Sequence, residues 1–145
     1  MTKKSELLDK IILVLSILGA LISFYILYND IAGSEVVCPD GGCVKVSNSE
    51  YSRFLGIPVA ALGLFYYLAL FGIRNLKKVR NNLYEKIVEV RIEKLLLVAG
   101  VIFSIYLRYI EIFKIKAVCI WCWGSVFVLF GIVIAYFYEN KQSEQ

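Results

Sequence analysis

The sequence predicts an all-α membrane protein, a bundle of four transmembrane helices with a short extracytoplasmic loop helix. Three observations carry that expectation. Of the 145 residues, 59% are hydrophobic and the mean hydropathy is +0.70, whereas a soluble domain holds about 45–50% apolar residues. Four apolar runs, 11–28, 57–73, 95–113 and 117–138, each have roughly the 17–25 residues that cross a bilayer as a helix. These runs also lack the polar face that a helix of a soluble bundle keeps, and lipid offers no partner for backbone N–H and C=O groups outside a helix. The length suits a single domain, 1–145.

The first run follows Met1–Lys10, which carries Lys3, Lys4 and Lys10 against Glu6 and Asp9. A secretory signal peptide starts in the same way, but this apolar run exceeds a usual h-region and no A-x-A site follows, so a retained helix is expected. The loop Asn29–Gly56 holds Cys38 and Cys43 on either side of Pro39-Asp40-Gly41-Gly42, a strong turn signal. Ser47-Asn48-Ser49-Glu50 reads as a capping box with Ser47 as N-cap and Glu50 at N3. Tyr51, Phe54 and Leu55 then give one apolar face to a short helix lying on the bundle or the membrane surface. Pro58 suits a first helical turn, so the second span should start near Gly56-Ile57.

The stretch 74–94 carries Arg74, Lys77, Lys78, Arg80, Lys86, Arg91 and Lys94 against Glu85, Glu89 and Glu93. Basic loops stay in the cytoplasm. This loop and both termini are therefore expected inside a multi-pass cell-membrane protein, with all four cysteines extracytoplasmic. Lys114 and Lys116 read as snorkelling anchors. The i, i+3 pair Arg108 and Glu111 at the outer end of the third span would either hold a pocket or move a proton within the membrane or, the preferred reading, snorkel to the interface. Ser16, Gly19, Ser23, Gly63, Gly100, Ser104, Gly124, Ser125 and Gly131 are the small residues that let membrane helices pack closely.

There is no histidine, which removes the commonest general base and metal ligand. Chemistry falls to the cysteines. Cys119-Ile120-Trp121-Cys122 is a CxxC pair at the mouth of the fourth run, where a helix N-terminus stabilises a thiolate. Three readings compete for the four cysteines: a thiol–disulfide relay between the two pairs, two inert staples, or a four-thiolate zinc site. A membrane bundle has little need of staples, the tight CxxC loop makes a reducible bond, and an oxidising exterior disfavours zinc. The relay is preferred, with no metal. Its terminal acceptor at a lipid–water boundary would be a lipid-soluble quinone, in a pocket drawn from Tyr51, Phe54, Leu55, Phe65, Tyr66, Tyr67, Trp121 and Trp123. The same aromatics would also serve as membrane-interface anchors.

Cys38 and Cys43, then Ser49-Glu50-Tyr51-Ser52-Arg53-Phe54-Leu55-Gly56-Ile57-Pro58, then Leu62-Gly63-Leu64-Phe65-Tyr66-Tyr67, and finally Cys119-Ile120-Trp121-Cys122 together resemble the vitamin K epoxide reductase (VKOR) family. The likeness runs from about Ile11 to Tyr138 and is of the prokaryotic type without a fused thioredoxin domain. The other four-helix quinone-linked thiol oxidase, the DsbB type, has its CxxC early and its loop pair late. The resemblance implies that Cys119 and Cys122 are the catalytic pair, with Cys122 nearer the quinone, and that Cys38 and Cys43 shuttle electrons. Cys43 would exchange with Cys119, and Cys38 would face a separate thioredoxin-fold, DsbA-like partner outside the cytoplasm. It further implies a pocket for a menaquinone, ubiquinone or vitamin K type quinone at Ser49, Tyr51, Leu55, Val59, Leu62 and Tyr66, to which proximity to the cysteines adds Trp121. Val59 and Val126 stand where animal members carry an asparagine and a tyrosine that hold the quinone oxygens. Simple quinone reduction in support of disulfide formation is therefore expected ahead of vitamin K quinone or epoxide reduction, with no nucleic-acid role. A non-enzymatic membrane protein with a zinc-bound or disulfide-stapled ectodomain is the remaining alternative.

Overall fold

A computed structural model describes residues 3–39, 41–79 and 82–144. Met1, Asp40 and Arg80, which entered the sequence reading, lie outside them. Four long helices, α1 (Lys3–Ala32), α3 (Val59–Val79), α4 (Leu83–Ile110) and α5 (Ile120–Glu144), pack together, with the short α2 (Gly42–Ser47) in the first loop. All four long segments are apolar and long enough to cross a membrane, so the protein is a multi-pass membrane protein. The helices outrun the apolar runs because Lys, Glu and Arg, good helix formers, continue them; α4 spends its first three turns, 83–94, in what reads as a basic loop.

The core is Ile12, Tyr67, Leu70, Leu97, Leu129, Ile132, Ala135 and Tyr136. Because lipid tails are as apolar as the core, close packing and hydrogen bonds hold such helices together. The Tyr67 ring lies against Gly19 of α1, and its hydroxyl donates to the Ser125 carbonyl oxygen of α5 at 2.8 Å. Tyr66 reaches the other way, over Gly100 of α4, and donates to the Leu96 carbonyl oxygen at 3.1 Å. α1 packs closely along both α3 and α5, while α4 stands off more loosely. That looser seam leaves room for the cavity described below.

The first loop differs from its sequence reading. The expected capping box does not form. α2 ends at Ser47, where a helix was expected to begin, and Ser49 turns back so that its Oγ donates to the Val46 carbonyl oxygen at 2.7 Å. Glu50–Ser52 form one 3-10 turn, and the expected apolar helix face at Tyr51, Phe54 and Leu55 gives way to a hairpin. Its strands are β1 (Arg53–Phe54) and β2 (Ile57–Pro58), paired Arg53 to Pro58 and Phe54 to Ile57. The reason is local: Leu55 and Gly56 both take positive φ, 53° and 83°, the pattern of a two-residue hairpin turn. The second span consequently starts at Val59 rather than at Ile57.

Arg74 is also not a loop charge. It is buried at the end of the bundle away from the cysteines, against Asp9, Glu93 and Glu139.

Candidate active site

α5 is opened by Cys119, which acts as its N-cap. The Trp123 N–H donates to the Cys119 carbonyl oxygen at 3.0 Å, and the Cys122 N–H donates to Cys119 Sγ at 3.4 Å. Sulfur thus takes the place of the usual N-cap oxygen over the third helical N–H. Donation from the Cys122 thiol, helped by the N–H groups of Cys122 and Trp121, brings the Cys119 thiol down to about 7, against burial and the Glu111 carboxylate, which push it up. The thiolate is the nucleophile, and its fraction grows as pH rises through that value. Alkylation of Cys119 in the reduced protein by a small haloacetamide should therefore rise with pH to a midpoint near 7. A midpoint at the free-cysteine value of about 8.5 would remove this account of its activation.

The Cys119 N–H itself donates to Glu111 Oε1 at 2.6 Å. Glu111 reaches it because α4 ends in a π-turn, Glu111–Ile115, and Lys116 at φ 56° reverses the chain; single π-turns recur at functional positions in helices. Arg108, one turn earlier, is ion-paired with Glu111 Oε2, and its guanidinium carbon stands 5.6 Å from the centre of the Trp123 ring. The snorkelling role expected for this pair is corrected. Glu111 is 2% exposed, and both side chains line the same cavity as the CxxC pair.

Cys38 and Cys43 are joined as a disulfide, while Cys119 and Cys122 are thiols. That bond takes two thiolates out of the four-thiolate zinc reading. Gly42 lies directly against the Val118 backbone, and a Cβ there would overlap the Val118 carbonyl oxygen. This close approach brings the next residue, Cys43, into one buried cluster with Cys119 and Val36, ringed by Tyr25, Cys38, Val46, Trp121 and Cys122. The loop is clasped from above. Trp121 Nε1 donates to the Val37 carbonyl oxygen at 2.9 Å, the Val37 N–H donates to the Tyr25 hydroxyl at 3.4 Å, and the Tyr25 and Trp121 rings stand 4.9 Å apart.

Beneath this cluster lies a mainly apolar cavity of about 530 Å³, lined by Cys43, Cys119 and Cys122 with residues of α3, α4 and α5. Its volume is within the roughly 300–1,000 Å³ typical of small-molecule sites. Of the residues expected there, Ser49, Tyr51, Val59, Leu62 and Tyr66 line it, with Phe54, Tyr67 and Val126. Leu55 does not: its positive φ carries the side chain outward, 88% exposed. Trp121 is held by the loop clasp instead, and Phe65, Trp123 and Cys38 also lie off the lining. Sequence reading missed Phe103 and Leu107 of α4, and preferred an interface role for Arg108 and Glu111 over a pocket one. The available signal was two charges inside an otherwise apolar span, eight and eleven residues before Cys119.

The sequence model of the vitamin K epoxide reductase family matches residues 10–137. The chain belongs to that family. As a VKOR-family protein it is a quinone-dependent thiol–disulfide oxidoreductase, carried in the membrane by four helices. The cavity suits that substrate class: it is largely apolar, as a flat lipid-soluble ring requires, and it opens onto the two free thiols.

Proposed function

We propose that this VKOR-family protein oxidises a separate extracytoplasmic thioredoxin-fold protein of the DsbA-like kind and so supports disulfide formation in exported proteins. Its termini and the basic 74–94 stretch face the cytoplasm, and its cysteines face outward. A reduced partner attacks Cys38 and leaves Cys38 and Cys43 as thiols. Cys43 then attacks Cys119 of the Cys119–Cys122 disulfide, and Cys38 resolves the resulting Cys43–Cys119 bond. That restores the loop disulfide and leaves Cys119 and Cys122 reduced. The Cys119–Cys122 dithiol gives two electrons and two protons to a quinone held against Cys122, Ser49, Tyr51, Val59, Leu62 and Tyr66, and returns to the disulfide.

The observation that carries this reading is the shared burial of Cys43 and Cys119 above an apolar cavity that also reaches Cys122. An oxidised loop pair beside a reduced CxxC pair matches the step before quinone reduction. Val59 and Val126, both on the lining, have no side-chain hydrogen bond to give an epoxide oxygen, which favours plain quinone reduction.

The test is turnover by the purified protein in lipid nanodiscs, with a reduced thioredoxin-fold protein as donor and a short-chain quinone as acceptor. Loss of quinone absorbance should require Cys38, Cys43, Cys119 and Cys122. Turnover that survives Cys119→Ala, or no turnover in the wild type, overturns the proposal.

A further inference from the structure

We propose that Arg108 is the polar anchor of the quinone, donating to a ring oxygen and stabilising the negative charge that grows there as electrons arrive from Cys122. This rests on the cavity being the quinone site, as proposed above.

Ser23, Ser47, Tyr51 and Ser104 put neutral hydroxyls on the lining, but the other hydroxyls there are already engaged. Ser49 donates to the Val46 carbonyl, Ser52 to the Ser49 carbonyl and Tyr66 to the Leu96 carbonyl, at 2.7, 2.8 and 3.1 Å. The Tyr67 hydroxyl is engaged with Ser125. These hydroxyls reach the lining with their protons already committed. The valines at 59 and 126 have none to offer. Among the described residues, Arg108 is the only basic side chain on the lining. Its side chain is 16% exposed, and its buried Nε has no acceptor among the described residues. A charge within a membrane span is costly and is kept near pathways and substrates.

Its geometry is also fixed in advance. Glu111 pairs with one branch of the guanidinium, and the Trp123 ring lies under it. The planar fork can serve a carboxylate and a second oxygen at once, which a single ammonium cannot do in the same place. Arg74, buried at the opposite end of the bundle, differs in both respects. It is surrounded by three carboxylates and does not reach the cavity.

The chemistry balances without a further reactant. The two thiols become one S–S bond, and the quinone takes both electrons and both protons to become a hydroquinone. Electron transfer ahead of protonation puts negative charge on a ring oxygen. A fixed cation in a water-poor site, oriented before the reaction, stabilises that charge more than water would.

The test is a single turnover that needs no partner. Protein reduced at Cys119 and Cys122 is freed of reductant and mixed with increasing short-chain benzoquinone or naphthoquinone, giving a half-saturation concentration and a limiting rate. The neutral pair R108Q/E111Q avoids leaving the Glu111 carboxylate uncompensated. It should raise half-saturation at least about tenfold, the scale of one charge-assisted hydrogen bond, and lower the limiting rate. A purely structural role would reduce the folded, reactive fraction and leave half-saturation unchanged. Arg108→Lys should also raise half-saturation, because its ammonium stays with Glu111. This milder variant carries the test if the neutral pair does not fold. Unchanged half-saturation in a folded variant, with a wild type that does reduce quinone, overturns the Arg108 assignment alone. A wild type that leaves quinone unreduced overturns the site reading and this inference with it.

Discussion

Cys122→Ala should abolish quinone reduction, on the scale seen when one member of a catalytic unit is removed (roughly 10⁴ to 10⁶), and should trap a disulfide between Cys43 and Cys119. Two features make this outcome specific. Cys119 and Cys43 are 3% and 1% exposed and sit in one packed cluster, so a bond between them forms in place. Cys119 also carries the activated thiol, down to about 7, and is ready to attack Cys43 of the loop disulfide with Cys38 leaving. In the wild type Cys122 competes for Cys119; in the variant only Cys38 can undo the mixed bond. C38A/C122A removes that route too, and should convert almost wholly to the Cys43–Cys119 disulfide on mild oxidation. Non-reducing peptide mapping reads both. If Cys43 and Cys119 stay unlinked in both variants, the two pairs do not communicate through them.

The fold was legible because a membrane is an exacting solvent. It sets helix length and composition, so four apolar runs announced four helices. The site was legible in its sulfur and in part of its lining, where Ser49, Tyr51, Val59, Leu62 and Tyr66 fall as expected. CxxC before an apolar run pointed to two thiols that reach the cavity, and two further cysteines to the disulfide packed beside them. What else sits around them depended on backbone turns that composition does not encode. Two positive φ values moved Leu55 out of the site that its neighbours enter. A helix starting at Gly42 ends on Ser47, the residue expected to open a capping box. A π-turn swung Glu111 inward to the Cys119 N–H, whereas an ideal helix end would have left it among the interface charges. Trp121 is near the cysteines in sequence, yet its N–H belongs to the Val37 carbonyl.

Arg74→Met should be the most destabilising single change at the far end of the bundle, by about 3–5 kcal/mol, the usual penalty for removing one partner of a buried ion cluster. Arg74 is 2% exposed. Its Nε meets Glu93 Oε1 at 2.5 Å, and one terminal nitrogen meets Glu139 Oε2 at 2.7 Å and Asp9 Oδ1 at 3.2 Å. Those carboxylates come from α4, α5 and α1, and Arg74 from α3, so one guanidinium ties together all four membrane helices. Methionine would fill much of the volume but leave three carboxylates facing one another, with Lys77 the one cation paired to them among the described residues, 3.9 Å from Glu93. Low dielectric makes that repulsion expensive. Arg53 offers the contrast: it stands 4.0 Å from Asp30 and is 61% exposed, so Arg53→Met should move stability by no more than about 1 kcal/mol. Thermal melts in detergent distinguish the two. Adding Glu93→Gln to Arg74→Met should recover part of the loss, since it removes a charge the arginine had balanced. The folded fraction should still alkylate at Cys119 with a midpoint near pH 7, because the cluster and the thiols occupy opposite ends of the bundle. A melt of Arg74→Met that matches the wild type would mean that helix packing alone, without this cation, holds that end of the bundle closed.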